Sequence, residues 1–225
     1  MTNHQDQTAR DLSPPRQGVS LRTPGAMSVT KARLMRAATD LFYEQGVRAV
    51  SIDDIVAAAD VTKPTLYRLF ASKDALLTAC VAADSIRLCA ELEEVIEQAP
   101  ANPVDQVAAV ARHYAEAMRA EHHRGILAAN VAVEFPDPDH PVRAVVAQAT
   151  ARFHARLGEL LAPLAGPASG AAASHLVLVI LGACNVRQAL GGPVAADALL
   201  CAVDSVMACV AERAKAAPAR EVVWV

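Results

Sequence analysis

Strand patterning is missing from this sequence: no run alternates β-branched and polar residues long enough for a half-buried strand. Hydrophobic residues make up 53% of the 225, and the surplus is largely the helix formers alanine and leucine, which predicts a nearly all-helical chain. Paired-cysteine motifs are missing too. Cys80, Cys89, Cys184, Cys201 and Cys209 form no CxxC and are odd in number, which argues for reduced, packed thiols and against a zinc site or disulfide framework. The His122–His123 pair has no acidic or thiol neighbour at metal-ligating spacing and is expected in solvent. A spanning helix needs about 20 apolar residues; the most apolar run, Leu176–Cys184, has nine and is flanked by His175 and Asn185. The first 27 residues are polar, carry Pro14, Pro15 and Pro24, and show no secretory signal. The expectation is a soluble, cytoplasmic protein with no membrane partner. A nucleophile beside a base, paired carboxylates and a metal cluster are all absent, so an enzyme is not expected, nor is a cofactor or a metal.

What is present is organised. The net charge is −3, but residues 1–80 hold ten Lys/Arg against eight Asp/Glu, and the remainder eleven against sixteen. A slightly basic N-terminal part and an acidic remainder suit a protein that meets phosphates at one end. Residues 1–27 lack periodicity and read as a disordered tail. Its Arg10, Arg16 and Arg22 are minor-groove candidates, and Met27 is a second candidate start.

The first helix is expected over Lys31–Gln45, capped by Ser28 or Thr30 and stopped by Gly46, with Leu34, Ala38, Leu41 and Phe42 on one stripe. Ser51, with Asp54 three residues on, approaches a capping box for a short second helix. Asp60-Val61 turns the chain, Thr62 caps a third helix, and Pro64 sits in its first turn where a missing N–H costs nothing. Helix, short turn, helix within 51–70 is a helix-turn-helix pattern. The N-terminal residues of its second helix lie nearest the base edges of a major groove; here they are Thr62, Lys63, Pro64 and Thr65. Lysine can bond guanine O6 and N7, and a threonine methyl can pack on thymine. Tyr67, Arg68 and Lys73 are suited to phosphates. Ser72 begins a long fourth helix reaching about Gln98. Further helices are expected at about Val104–Glu121, Gly125–Glu134, Val142–Leu161, Ala171–Leu190 and Val194–Lys215. Pro-rich 135–141 and Pro163–Gly170 are expected as breaks.

Arg33-Leu34-Met35-Arg36-Ala37-Ala38-Thr39-Asp40-Leu41-Phe42 with Gly46, then Ser51-Ile52-Asp53-Asp54-Ile55, then Val61-Thr62-Lys63-Pro64-Thr65-Leu66-Tyr67-Arg68-Leu69-Phe70 with Lys73 and Leu76-Leu77, resemble the N-terminal domain of the TetR/AcrR family of transcription regulators. About 50 residues agree in order and spacing. The resemblance implies an all-α fold: an N-terminal three-helix bundle with a helix-turn-helix (residues 28–80), then a C-terminal helical effector-binding and dimerisation domain (81–225). It implies double-stranded, near-palindromic operator DNA as partner, with base reading by Lys63 and Thr65 beside Thr62. Phosphate contacts fall on Ser51, Tyr67, Arg68 and Lys73, with Arg33 adding one. Asp60 departs from the family, which usually has glycine there, so a strained turn is expected.

By the same resemblance the helices from the fourth to the seventh enclose a mostly apolar pocket, with Tyr114, Met118, Asn130, Glu134 and Phe153 as candidate ligand contacts and a small hydrophobic or aromatic effector. The last two helices form a homodimer interface, for which Gly182, Ala183, Ala198 and Ala202 allow close approach. The apolar stretches Leu176–Ala183 and Ala198–Val203 are too apolar on all sides for a monomer surface. The function expected is a repressor released by its ligand. The alternative is a DNA-binding regulator that answers to a protein partner, or one with an architectural role and no effector.

Overall fold

The computed structural model describes residues 24–216. In chain order these form α1 (Pro24–Gln45), α2 (Ile52–Ala58), α3 (Lys63–Leu69), α4 (Lys73–Gln98), α5 (Pro103–Arg119), α6 (Leu127–Glu134), α7 (Pro141–Ala165), α8 (Ser169–Leu190) and α9 (Gly192–Ala216), with one 3-10 turn at Gly166–Ala168. Among the described residues there is no strand. The expected tail arginines lie outside them.

Two boundaries differ from expectation. α1 begins at Pro24, seven residues before Lys31, so Ser28 and Thr30 lie within the helix. A proline in a first turn lacks only an N–H that has no intrahelical partner. α7 runs through Pro163 to Ala165, where a loop was expected. Leu160 and Leu161 are buried and Leu164 packs beside them, so burial carries the helix past the proline.

The second, third and fourth helices are set by their caps. Ser51 and Asp54 complete the capping box, with Ser51 N donating to Asp54 Oδ2 at 2.8 Å and Asp54 N to Ser51 Oγ at 3.2 Å. Thr62 and Ser72 cap α3 and α4 through their hydroxyls. Leu34, Ala38, Phe42, Ile55, Leu66, Leu76, Leu77 and Cys80 close into one core. Leu127 and Val131 of α6 and Val142 of α7 complete it, so the bundle borrows its last wall from the C-terminal half.

A second core joins α4, α5, α7, α8 and α9 around Met118, Leu157, Leu161, Leu176, Ile180 and Leu199. Its polar ties are specific. Arg187 donates to Met118 O at 2.8 Å and Ala120 O at 2.6 Å, placing a cation on the free carbonyls at the end of α5. Arg156 of α7 grips Glu93 of α4 through Nε at 2.7 Å and Nη2 at 2.9 Å.

The outer side of α8 and α9 is unusual. Leu178, Val186, Leu190 and Val194 are exposed, Leu178 by 70%. By length and composition alone, Pro141–Leu190 and Gly192–Lys215 are apolar enough to cross a membrane, and only 28% of the most apolar window of each is buried.

Gly192 offers a direct test of the α5–α9 packing. A Cβ there would collide with the Met118 carbonyl oxygen, whereas nothing lies within 4 Å of one at Gly182. Gly192→Ala should lower unfolding stability by about 1–3 kcal/mol. Gly182→Ala, at a helical position, should raise it by up to about 1 kcal/mol. Urea denaturation of the two variants measures both.

Candidate nucleic-acid interface and ligand cavity

The exposed end of the N-terminal bundle is built by two seven-residue helices. α2 and α3 meet at Asp60, whose φ of 48° is the only left-handed non-glycine backbone among the described residues. Arg33 of α1 donates through Nη2 to the Asp60 carbonyl at 2.9 Å, bracing that turn. Its guanidinium is thereby engaged with the fold.

Thr62, Lys63, Tyr67 and Arg68 of α3 are exposed, and Thr65 is half-buried. Ser51, also exposed, starts α2 on the same end of the bundle. The Thr62 and Thr65 hydroxyls lie 3.0 Å apart. Lys63 Nζ sits 2.8 Å from Asp53 Oδ1, and that carboxylate's hydrogen bond and charge raise the lysine pKa. Lys73 is drawn inward: its ammonium donates to Val47 O at 2.6 Å and stands 6.0 Å over the Phe42 ring. Thus α3 and Ser51 present a polar, hydrogen-bonding end, while Arg33 and Lys73 serve the fold first.

Behind this bundle lies a cavity of about 240 Å3 between α4, α5, α6, α7 and α8. Of the five side chains expected around a ligand, Tyr114 and Phe153 line it. The other three are elsewhere. Met118 is fully buried in the C-terminal core. Asn130 spends its amide on Arg124 O at 2.8 Å. Glu134 holds the turn between α1 and α2, accepting from Val47 N and Arg48 N at 3.0 Å each, while Arg48 Nη2 donates to the Glu134 carbonyl at 2.9 Å. Gly46, at φ 82°, lets the turn approach so closely that a Cβ there would lie 3.2 Å from Glu134 Oε1. Nothing local signals a contact 87 residues away in the chain. The cavity also takes Ser85, Cys89, Thr150 and Asn185, which sequence reasoning missed. Ser85 and Cys89, four apart on α4 and followed by Leu92, carried a readable signal as polar breaks on one apolar face.

The histidine pair also departs from expectation. His122 is exposed, but His123 is half-buried, with Nδ1 3.5 Å from the Tyr43 hydroxyl and no hydrogen-bond partner at Nε2 among the described residues. Burial, and then the Arg187 charge, lowers its pKa. The Tyr43 hydroxyl accepts from Arg124 N at 2.7 Å, and the Arg124 guanidinium donates to Glu44 O. The end of α1 is therefore tied to the α5–α6 loop at several points.

The family model described as "Bacterial regulatory proteins, tetR family" matches residues 34–80, the span that carries the helix-turn-helix. The whole architecture matches the crystal structure of SCO4454, a TetR-family transcriptional regulator from Streptomyces coelicolor. The identity is 34%, the TM-score 0.77, and the match covers 82% of this chain and 97% of that one. The chain belongs to the TetR family. Among curated TetR-type relatives it is similar to the HTH-type transcriptional regulator UidR of Escherichia coli, 35% identical over 68 residues, which are 30% of this chain and 35% of UidR. It is also similar to the HTH-type transcriptional repressor KstR2 of Mycobacterium tuberculosis, 28% identical over 102 residues, 45% of this chain and 50% of KstR2. These matches span half or less of each curated relative.

In this TetR-family regulator the Glu134 clasp can be tested directly. Glu134→Ala removes a half-buried carboxylate and leaves the Val47 and Arg48 amides without their acceptor. Stability should fall by about 1–2 kcal/mol, and hydrogen exchange at those two amides should accelerate more than elsewhere in the N-terminal bundle.

Proposed function

We propose that this TetR-family regulator is a cytoplasmic homodimer that represses transcription by binding a near-palindromic operator, and that a small apolar ligand in the α4–α8 cavity releases it. The observation that carries the reading is the double role of α6. Ile126, at its start, and Ala128, Ala129 and Ala132 line the cavity, while Leu127 and Val131 belong to the core beneath the helix-turn-helix. A ligand that shifts α6 acts on the bundle through packed side chains and through Glu134. Coupling between such sites is typically about 1–3 kcal/mol.

DNA contact falls to the exposed end of α3, with Lys63 and Thr65 reading bases beside Thr62, and Ser51, Tyr67 and Arg68 on phosphates. Lys63 must exchange Asp53 for a base, and an exposed pair of this kind is weak enough to break. Lys63→Ala should cost about 1–3 kcal/mol at one or two operator positions. Asp53→Asn should tighten operator binding by freeing the ammonium and removing a repelling charge. Fluorescence anisotropy against operator variants checks both, and unchanged discrimination by Lys63→Ala would refute the assignment of α3.

Dimerisation is assigned to the outer face of α8 and α9, where Leu178, Gly182, Val186, Val194 and Ala198 are exposed. Ala202 is half-buried beside them, whereas Ala183 is 9% exposed and packs in its own subunit's core. A two-fold pairing of this face would set the recognition helices roughly 34–36 Å apart, or a multiple, for successive major grooves. A Cβ at the exposed Gly182 meets no neighbour within the subunit, so Gly182→Arg should give a folded monomer with little operator affinity in sedimentation velocity and gel shift. A parent protein that is monomeric at micromolar concentration yet binds operator fully would overturn the arrangement.

A further inference from the structure

The α4–α8 cavity says more about its occupant than that it is apolar, provided that it is the effector site. Its size sets the first limit. A dry cavity of about 150 Å3 holds one benzene. At the same packing, 240 Å3 takes roughly ten non-hydrogen atoms. A bicyclic molecule fills that space; a four-ring one would protrude past the rim at Asn185.

Its wall sets the second. The lining contains no Asp, Glu, Lys, Arg or His. An ion placed there would lose its hydration without gaining a counter-charge. Carboxylates, phosphates and ammonium groups are therefore excluded from the cavity itself.

The third limit is the disposition of polar hydrogens. The Ser85 hydroxyl donates to Val81 O at 2.7 Å, and Thr150 to Val146 O at 3.1 Å. Asn185, exposed at the rim, donates to Leu181 O at 3.1 Å. Tyr114 differs. It is 8% exposed, and no residue among those described hydrogen-bonds its hydroxyl. Burial pushes the phenol pKa upward, with the nearby Cys184, Cys89 and Glu91 adding to the effect, so the hydroxyl keeps its proton and remains a donor. Edge-to-face contacts with Phe153 at 5.8 Å and His113 at 5.5 Å between centroids hold the ring in place. Two aromatic residues, one of them carrying a buried and uncommitted hydroxyl donor, thus border the space.

We propose that the cavity binds a neutral, bicyclic-sized molecule that is apolar except for one hydrogen-bond acceptor, which the Tyr114 hydroxyl addresses. Tyr114 is then the residue that sets ligand specificity, and the apolar body of the ligand supplies the rest of the affinity.

The test is isothermal titration of the full chain with naphthalene, 1-tetralone, 1-naphthoate and pyrene, repeated with Tyr114→Phe and with Ala129→Leu, which fills part of the cavity. Tetralone should bind more tightly than naphthalene, and naphthoate and pyrene should not bind. Tyr114→Phe should weaken tetralone about 5- to 10-fold, the worth of one hydrogen bond, and leave naphthalene unchanged. Ala129→Leu should weaken both. Naphthalene binding as well as tetralone, a tetralone affinity unmoved by Tyr114→Phe, or naphthoate as the preferred ligand would each overturn the proposal while leaving an effector cavity in place. Binding of none of the four would overturn the cavity reading together with it. The comparison of tetralone with naphthalene on the parent protein stands even if a variant folds poorly.

Discussion

Leu127 and Val131, both buried among side chains of the first four helices, make the eight-residue α6 a structural part of the bundle that carries the helix-turn-helix. Isolated helices this short are marginal in water, and this one holds its place by packing. Without it the N-terminal core would lose Leu127, Ala128 and Val131. The same helix walls the cavity and ends in the carboxylate that caps the Gly46–Arg48 turn. Fold, cavity and the bracing of the recognition end thus depend on one element seated in two cores.

The positive charges at the recognition end are divided between holding the bundle and facing outward. Lys73 satisfies the Val47 carbonyl, and Glu134 satisfies the Val47 and Arg48 amides, so the turn after α1 is clamped by groups of opposite sign. Arg33 performs a comparable service at Asp60, where a left-handed non-glycine residue needs external support. Lys63 and Arg68 are left on the outside of α3, and Lys63 is partly neutralised by Asp53. Such an end has little surplus charge, which favours binding that depends on shape and base contacts over bulk attraction to phosphates.

Local signals carried most of the architecture. Ser51 with Asp54, Thr62 before Pro64, and Ser72 before a long apolar stripe are short-range patterns, and each starts the helix expected of it. The errors came where packing overrode a local rule, as at Pro163, or where a helix began earlier than its best cap, as at Pro24. The cavity was only half legible. Tyr114 and Phe153 stand among apolar neighbours on helices that face inward, and they do line it. Glu134 is a candidate ligand contact by sequence, but its partners lie at Val47 and Arg48, and no periodicity reports a hydrogen bond over that distance. His123 was misread for the same reason: its neighbour Tyr43 is 80 residues away.

Gly192 has a mechanical consequence. With the backbones of α5 and α9 in contact there, and Arg187 and Arg119 fastening α5 to α8 and α9, that side of the C-terminal half has no slack in which to slide. The other side is thinner: α6 is short, and the residues it turns to the cavity, Ala128, Ala129 and Ala132, are small. Stiffness is therefore distributed unevenly, with an anvil at α5, α8 and α9 and a thin plate at α6. That plate is also the element seated in the core beneath the helix-turn-helix, so the thinnest wall of the cavity is the one the N-terminal bundle rests on.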